Sequence, residues 1–334
     1  MNTIIKNGLT AIASLLLLTA CDWTEPEAID LRYDTIQEVA SDSYAKYLSG
    51  LRSYRNNGHK KVYAWFDNKS SFVSQADHVS AVPDSIDVLV LNHPEAISQA
   101  TLDEIDTKRS ETGMQTAYVV SYSEIRSAWE IMKEDETPEA PAKEWSVFLA
   151  DSLASALSFF NGGGYDRLIC SYDGKDMTVY GPEDREAYAA DQKQFLDAFG
   201  KWRAANTDKG FDFIGIPKNI IDTSLLAEAS TIFLSETANA TNVSEYSLII
   251  ARNTVAGADT GKFAILSYLP PLASQSSEEG YWGSQYSSWI AADWARGAKV
   301  AALGLFNLSD DYHSPSFIYP VARGAIQRLN PAAR

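Results

Sequence analysis

The stretch Gly164-Tyr165-Asp166-Arg167-Leu168-Ile169-Cys170-Ser171-Tyr172-Asp173 holds an apolar run between a glycine turn and an acid. A strand that is apolar at successive positions has no solvent face, so it belongs to a sheet covered on both sides. Seven further runs of this kind occur, at 62–66, 86–91, 116–120, 211–216, 231–234, 263–268 and 300–306. Helical spacing fills the intervals, at 34–55, 145–160, 183–205, 286–296 and 319–329, and Asn56-Asn57-Gly58 ends the first of these helices. The polar segment 134–144, with Pro138 and Pro141, is a loop before the helix that precedes the fourth strand. Eight strand–helix units over about 250 residues predict an α/β fold, a (β/α)8 TIM barrel in a single domain over 34–334. The rival, a doubly wound open sheet, lacks a Gly-rich dinucleotide fingerprint after its first strand.

Composition narrows the function. The chain has 334 residues, 45% hydrophobic and 22% charged, which excludes a disordered, collagen-like or coiled-coil protein. Its formal charge of -16, from 28 basic and 44 acidic residues, argues against nucleic acid and against an anionic membrane as electrostatic partners. His59, His78, His93 and His313 are scattered without metal-ligand spacing, so neither a metal nor a cofactor is expected. No Gly-x-Ser-x-Gly elbow supports serine catalysis.

Residues 1–20 carry one Lys and then an apolar stretch of secretory-signal length, too short for a stable membrane span. Leu18-Thr19-Ala20-Cys21 matches the bacterial lipobox, which predicts removal of 1–20 and lipidation of Cys21. Residues 21–33 form a tether whose start, Asp22-Trp23-Thr24-Glu25-Pro26-Glu27, resembles the acidic export signal of Bacteroidetes lipoproteins. That resemblance implies an outer-membrane lipoprotein exposed at the cell surface. Cys170 is then the one thiol left, facing the helix layer as an inert core residue.

Barrels of this type carry their chemistry at the C-terminal strand ends. The residues there are Asp67 and Asn68, Asn92 and His93, Ser121 and Tyr122, Tyr172 and Asp173, Lys218 and Asn219, Ser235 and Glu236, Tyr268, and Asn307. Trp65 stands at the edge of this ring, as core or as a ligand platform. Tyr281 and Trp282 offer a sugar-stacking loop, although Trp282, Tyr286 and Trp289 share one helical face that would pack on the barrel. The expected ligand contacts are Trp65, Asn68, Asn92, Tyr122, Tyr172, Asp173, Asn219, Glu236, Tyr268, Tyr281, Trp282 and Asn307. Amides, acids and phenols suit a neutral, hydroxyl-rich ligand. Phosphate is disfavoured, because the strand ends bring no cluster of Lys or Arg.

The 164–173 stretch resembles the fourth-strand signature of glycoside hydrolase family 18, Gly-Phe-Asp-Gly-x-Asp-x-Asp-x-Glu. The likeness continues at 61–68, ending Trp65-Phe66-Asp67-Asn68, at 303–312, and at Ala325-Ile326-Gln327-Arg328-Leu329-Asn330-Pro331. These segments look like the Bacteroidetes lipoprotein branch of that family, which includes endo-β-N-acetylglucosaminidases acting on N-glycans. In the family the Glu protonates the leaving oxygen. The Asp two residues earlier holds the acetamido group whose carbonyl attacks the anomeric carbon, a substrate-assisted route. Side chains two apart share a strand face, so the last three acids all point into the barrel mouth. This sequence departs there: Asp166 matches the first Asp, but Ile169 and Ser171 replace the next two, and Asp173 stands where Glu belongs.

The resemblance therefore implies a degenerate site. The expected function is non-catalytic binding of an N-glycan-type or N-acetylglucosamine-containing oligosaccharide at the cell surface, beside a glycan-uptake complex of the outer membrane. The alternative is an active endo-β-N-acetylglucosaminidase with Asp173 as general acid. A third possibility is a barrel scaffold for protein contact, without sugar affinity.

Overall fold

The computed structural model describes residues 41–137, 141–271, 279–313 and 317–331. The signal segment, Cys21 and the tether lie outside the described residues. Leu48–Arg334 is one compact unit and contains the barrel.

The first helix, α1, is Ser41–Asn56. The eight barrel strands are β1 Lys61–Phe66, β2 Val88–Leu91, β3 Gln115–Ser121, β4 Arg167–Tyr172, β5 Gly210–Gly215, β6 Ile232–Leu234, β7 Phe263–Tyr268 and β10 Ala302–Phe306. They close in the order β1-β10-β7-β6-β5-β4-β3-β2, every pair parallel. Each coincides with one of the eight apolar runs. The outer layer includes α2 Gln99–Thr112, α3 Tyr122–Glu134, α4 Trp145–Gly162, α5 Pro182–Ala205, α6 Ser224–Glu228, α7 Val243–Arg252, α8 Ser287–Gly297 and α9 Pro320–Leu329.

Alternation along the strands makes two cores. Leu168, Cys170, Phe213 and Leu303 face outward into the helix layer. The Cys170 thiol is buried and free, and its burial pushes the thiol pKa well up. Tyr63, Trp65, Val90, Ile169, Ile214, Phe233 and Leu266 fill the barrel interior. Trp65 fits there because Gly304 yields to it: a Cβ at Gly304 would stand 3.0 Å from the indole.

The N-terminal end of the interior is polar and locked. Arg167 donates Nε to Asp212 Oδ2 and Nη2 to Asp212 Oδ1, both at 2.7 Å. The Tyr63 hydroxyl donates to Asp212 at 3.1 Å. Below the barrel, Asp87 accepts from Arg55, His59 and the Val62 amide, which fixes the end of α1 against β1.

The fold departs from the sequence expectation before α8. Tyr281–Trp282 and Gln285–Tyr286 form an antiparallel hairpin, β8 and β9, so Trp282 and Tyr286 do not lie on a helix. Gly280 and Gly283, both left-handed, punctuate this segment and break the helical spacing. Both aromatics nevertheless pack against the outer core, as does Trp289.

Candidate functional site: the C-terminal mouth of the barrel

Strand β4 sets the site, because its alternation aims 169, 171 and 173 the same way. Ile169 has no exposed surface and belongs to the interior cluster. Ser171 is half-buried, and Asp173 is exposed one residue beyond the strand. Its carboxylate accepts from the Ser235 hydroxyl at 2.5 Å, which turns it across the mouth toward β6. Its backbone carbonyl accepts from the Asn219 amide at 2.9 Å. Asp166, at the other end of β4, accepts from Arg109 and from the Thr116 amide, a structural role at the base of the strand.

Two recesses open at the mouth. One, about 280 Å³, is lined by Tyr122, Ser171, Tyr172, Asp173 and groups from α3 and α5. The other, about 790 Å³, is lined by Tyr268, Tyr281, Trp282 and the segment after β6. Six of the twelve expected contacts are thus brought into two places: Tyr122, Tyr172 and Asp173 in the first, and Tyr268, Tyr281 and Trp282 in the second. Burial raises the pKa of Tyr122 and Tyr172, so both stay neutral donors. Burial, with Glu279 nearby, does the same for Tyr268. A groove of equal volume lies between α5 and α6 on the helix layer, away from the strand ends that carry chemistry in this architecture.

The remaining expected contacts line neither recess. Trp65 is 6% exposed, 4.6 Å from the Phe306 ring, and serves as core at the top of the barrel. Asn68 is buried and bridges strand ends: its amide donates to the His93 carbonyl at 2.8 Å and its oxygen accepts from the His93 N–H at 2.9 Å. Asn219 is likewise buried and holds the loop after β4. Glu236 accepts from Arg252 and Asn253, tying the turn after β6 to the end of α7. Asn307 has a φ of 63° and donates to Glu279 at 3.4 Å. Asn92 is exposed at the end of β2.

Reading the strand ends alone misses two cations. Arg126 and Lys175 both line the recess beside Asp173. Arg126 lies one turn after Tyr122 on α3, a spacing that puts both on one face of a helix. Among the described residues no group of three or more His, Cys, Asp or Glu could hold a metal ion. No helix among them is long and apolar enough to cross a membrane.

The model of glycoside hydrolase family 18, BT1044-like, matches residues 24–328, and the chain belongs to that family. Among solved structures, a glutamate-to-glutamine variant of BT1044 is 12% identical with a TM-score of 0.56, covering 88% of this chain and 95% of that one. The apo endo-β-N-acetylglucosaminidase from Cordyceps militaris is 13% identical with a TM-score of 0.57, covering 86% of this chain and 96% of that one. YKL-39, crystallised with chitooligosaccharides, is 10% identical with a TM-score of 0.50, covering 81% of this chain and 99% of that one. These likenesses establish the shared barrel. No curated protein matches the chain in sequence.

Proposed function

We propose that the chain binds an N-acetylglucosamine-containing oligosaccharide at the C-terminal mouth without hydrolysing it. The ligand class follows the relatives, one an endo-β-N-acetylglucosaminidase and one crystallised with chitooligosaccharides. The observation that carries the non-hydrolytic half is the inward row of β4. Substrate-assisted cleavage in the family needs an acid at the fourth-strand end and a carboxylate two residues before it to hold the acetamido group. Here the second position is Ser171, the one before it is the buried Ile169, and Asp173 is already hydrogen-bonded to Ser235. An Asp in place of Glu also withdraws the proton by one methylene, and a misplacement of about 1 Å can cost about 100-fold. Affinity would come from stacking on Tyr281 and Trp282 and from the phenols and serines of the mouth.

The test is incubation with high-mannose and complex N-glycoproteins at high protein concentration, with released glycans read by mass spectrometry. No release, together with retention of the glycoproteins that Tyr281→Ala and Trp282→Ala weaken, is the expected result. Time-dependent release that Asp173→Asn abolishes would overturn it and make Asp173 a general acid.

The same proposal places the barrel at the outer cell surface on a lipid carried by Cys21, where a bound glycan could pass to an uptake complex. Cell fractionation and surface proteolysis of wild type and Cys21→Ser test this. An unchanged membrane fraction in the variant would sink it.

A further inference from the structure

We propose that the recess beside Asp173 is a subsite for an anionic substituent on the glycan, a carboxylate or a sulfate. This rests on the glycan-binding reading and adds to it a charge preference that the strand ends alone do not suggest. The chain is strongly acidic, with a formal charge of -16, yet this recess is lined by two cations, Arg126 and Lys175, and one acid. The acid, Asp173, is held by the Ser235 hydroxyl on the β6 side.

Arg126 is fixed before any ligand arrives. Its guanidinium carbon rests 4.5 Å from the Trp129 ring centroid and 4.6 Å from that of Trp145. Its Nε donates to Glu130 at 3.0 Å, one turn further along α3. Trp129 is itself held, donating Nε1 to the Lys143 carbonyl at 2.8 Å. Among the described residues, the two terminal nitrogens of Arg126 have no hydrogen-bond partner. A planar fork held by aromatic contacts with both ends open suits bidentate capture of a carboxylate or a sulfate.

Lys175 is similarly placed from the loop after β4. Its ammonium lies 4.0 Å from the Tyr188 ring centroid and donates to the Tyr188 hydroxyl at 2.8 Å. That contact uses one of three ammonium protons and leaves two for a ligand. Ser123, Ser127 and Ser171 add hydroxyls to the same recess. At about 280 Å³ it is at the small end of ligand pockets, so it takes one terminal sugar rather than a chain.

The experiment is calorimetric titration of the full-length protein in detergent. Three versions of one N-acetylglucosamine-containing oligosaccharide are compared at fixed, near-physiological salt: uncapped and neutral, capped by a carboxylate-bearing sugar, and capped by a sulfated sugar. At least one acidic form should bind about tenfold or more tighter than the neutral form, the gain expected for one added charge-assisted contact. Arg126→Gln and Lys175→Gln should each bring the acidic-to-neutral ratio toward one. Arg126→Lys should fail to restore the ratio, because an ammonium lacks the fork. The better of the two acidic arms identifies the substituent. Thermal midpoints of all variants check folding, and Lys175→Gln, in an exposed loop, carries the test if Arg126→Gln is unstable. Equal binding of neutral and acidic forms overturns the subsite and leaves glycan binding standing. A preference that survives both Gln variants also overturns it. Absence of binding to every form overturns both readings.

Discussion

Replacing Ile169 with Asp puts an acid on the inward row of β4, and the barrel as packed should resist it. Ile169 is 0% exposed and sits in the interior cluster with Ala117, Ile214 and Phe233. Losing that burial costs about 1.5–3 kcal/mol. The new carboxyl would also sit in register beside Asp212, whose charge is already matched by Arg167. Burial and a like charge raise a carboxyl pKa, by up to about 3–5 units in a fully buried site, so the group would be neutral near pH 7. Keeping it protonated costs about 1.4 kcal/mol for each pH unit above an unfolded value of about 3.9, or about 4 kcal/mol at about pH 7. The total, about 6 kcal/mol, is a large part of the 5–15 kcal/mol that holds a typical domain together. The sign is specific. A raised folded pKa gives a penalty that is absent below the unfolded value and grows as pH rises toward the folded one. At about pH 5.5 roughly 2 kcal/mol of the loss should therefore be recovered. Urea unfolding of wild type and variant, followed by tryptophan fluorescence at both pH values, measures this directly. Ser171→Asp, at a half-buried position on the recess, should cost no more than about 1 kcal/mol. The same loss at both pH values would mean that no buried carboxyl titrates. No loss at either would mean that position 169 opens to the mouth and is not part of the packed interior.

Three further outcomes follow from the same packing. Asp212→Asn leaves the Arg167 guanidinium buried without its charge partner and should cost about 3–5 kcal/mol, whereas Arg167→Met combined with Asp212→Leu should recover most of it; scanning calorimetry separates the two. The hydrogen bond from His59 to Asp87, 2.9 Å long, raises the His59 pKa above its usual 6.5 or so. Its contribution is thus full below about 6.5 and lost as pH rises through the folded value, and His59→Gln should flatten that part of the melting-temperature profile, an unchanged slope counting against the assignment. A Cβ at Gly215 would stand 2.0 Å from the Tyr172 carbonyl oxygen, a backbone atom that cannot swing away. Gly215→Ala should therefore cost about 1–3 kcal/mol and loosen the chain leading to Asp173, while Gly200→Ala, on α5 with nothing within 4 Å, should stabilise by about 0.5–1 kcal/mol.

The barrel was legible because parallel strands buried on both faces leave apolar runs that need no partner to be recognised. Each of the eight runs became a barrel strand, and alternation alone put Ile169 inside and Cys170 outside. The site was legible only where one strand's own periodicity decided it. Asn68 and Asn219 have the right chemistry at the right strand ends. Yet their amides are engaged by His93, 25 residues away, and Asp173, 46 residues away, contacts that no local spacing encodes. Glu236 is drawn off by Arg252 in the same way. The converse error has the same origin. Arg126 and Lys175 lie beyond the strand ends, on a helix and in a loop, and only the closure of α3 and α5 over β4 brings them into one recess. A strand-end reading therefore picks up the neutral polar groups at the mouth and passes over the charged ones beside it. Under the proposed function one end of β4 carries both halves: Ile169 and Ser171 stand where the family places carboxylates, and Arg126 and Lys175 line the adjoining recess.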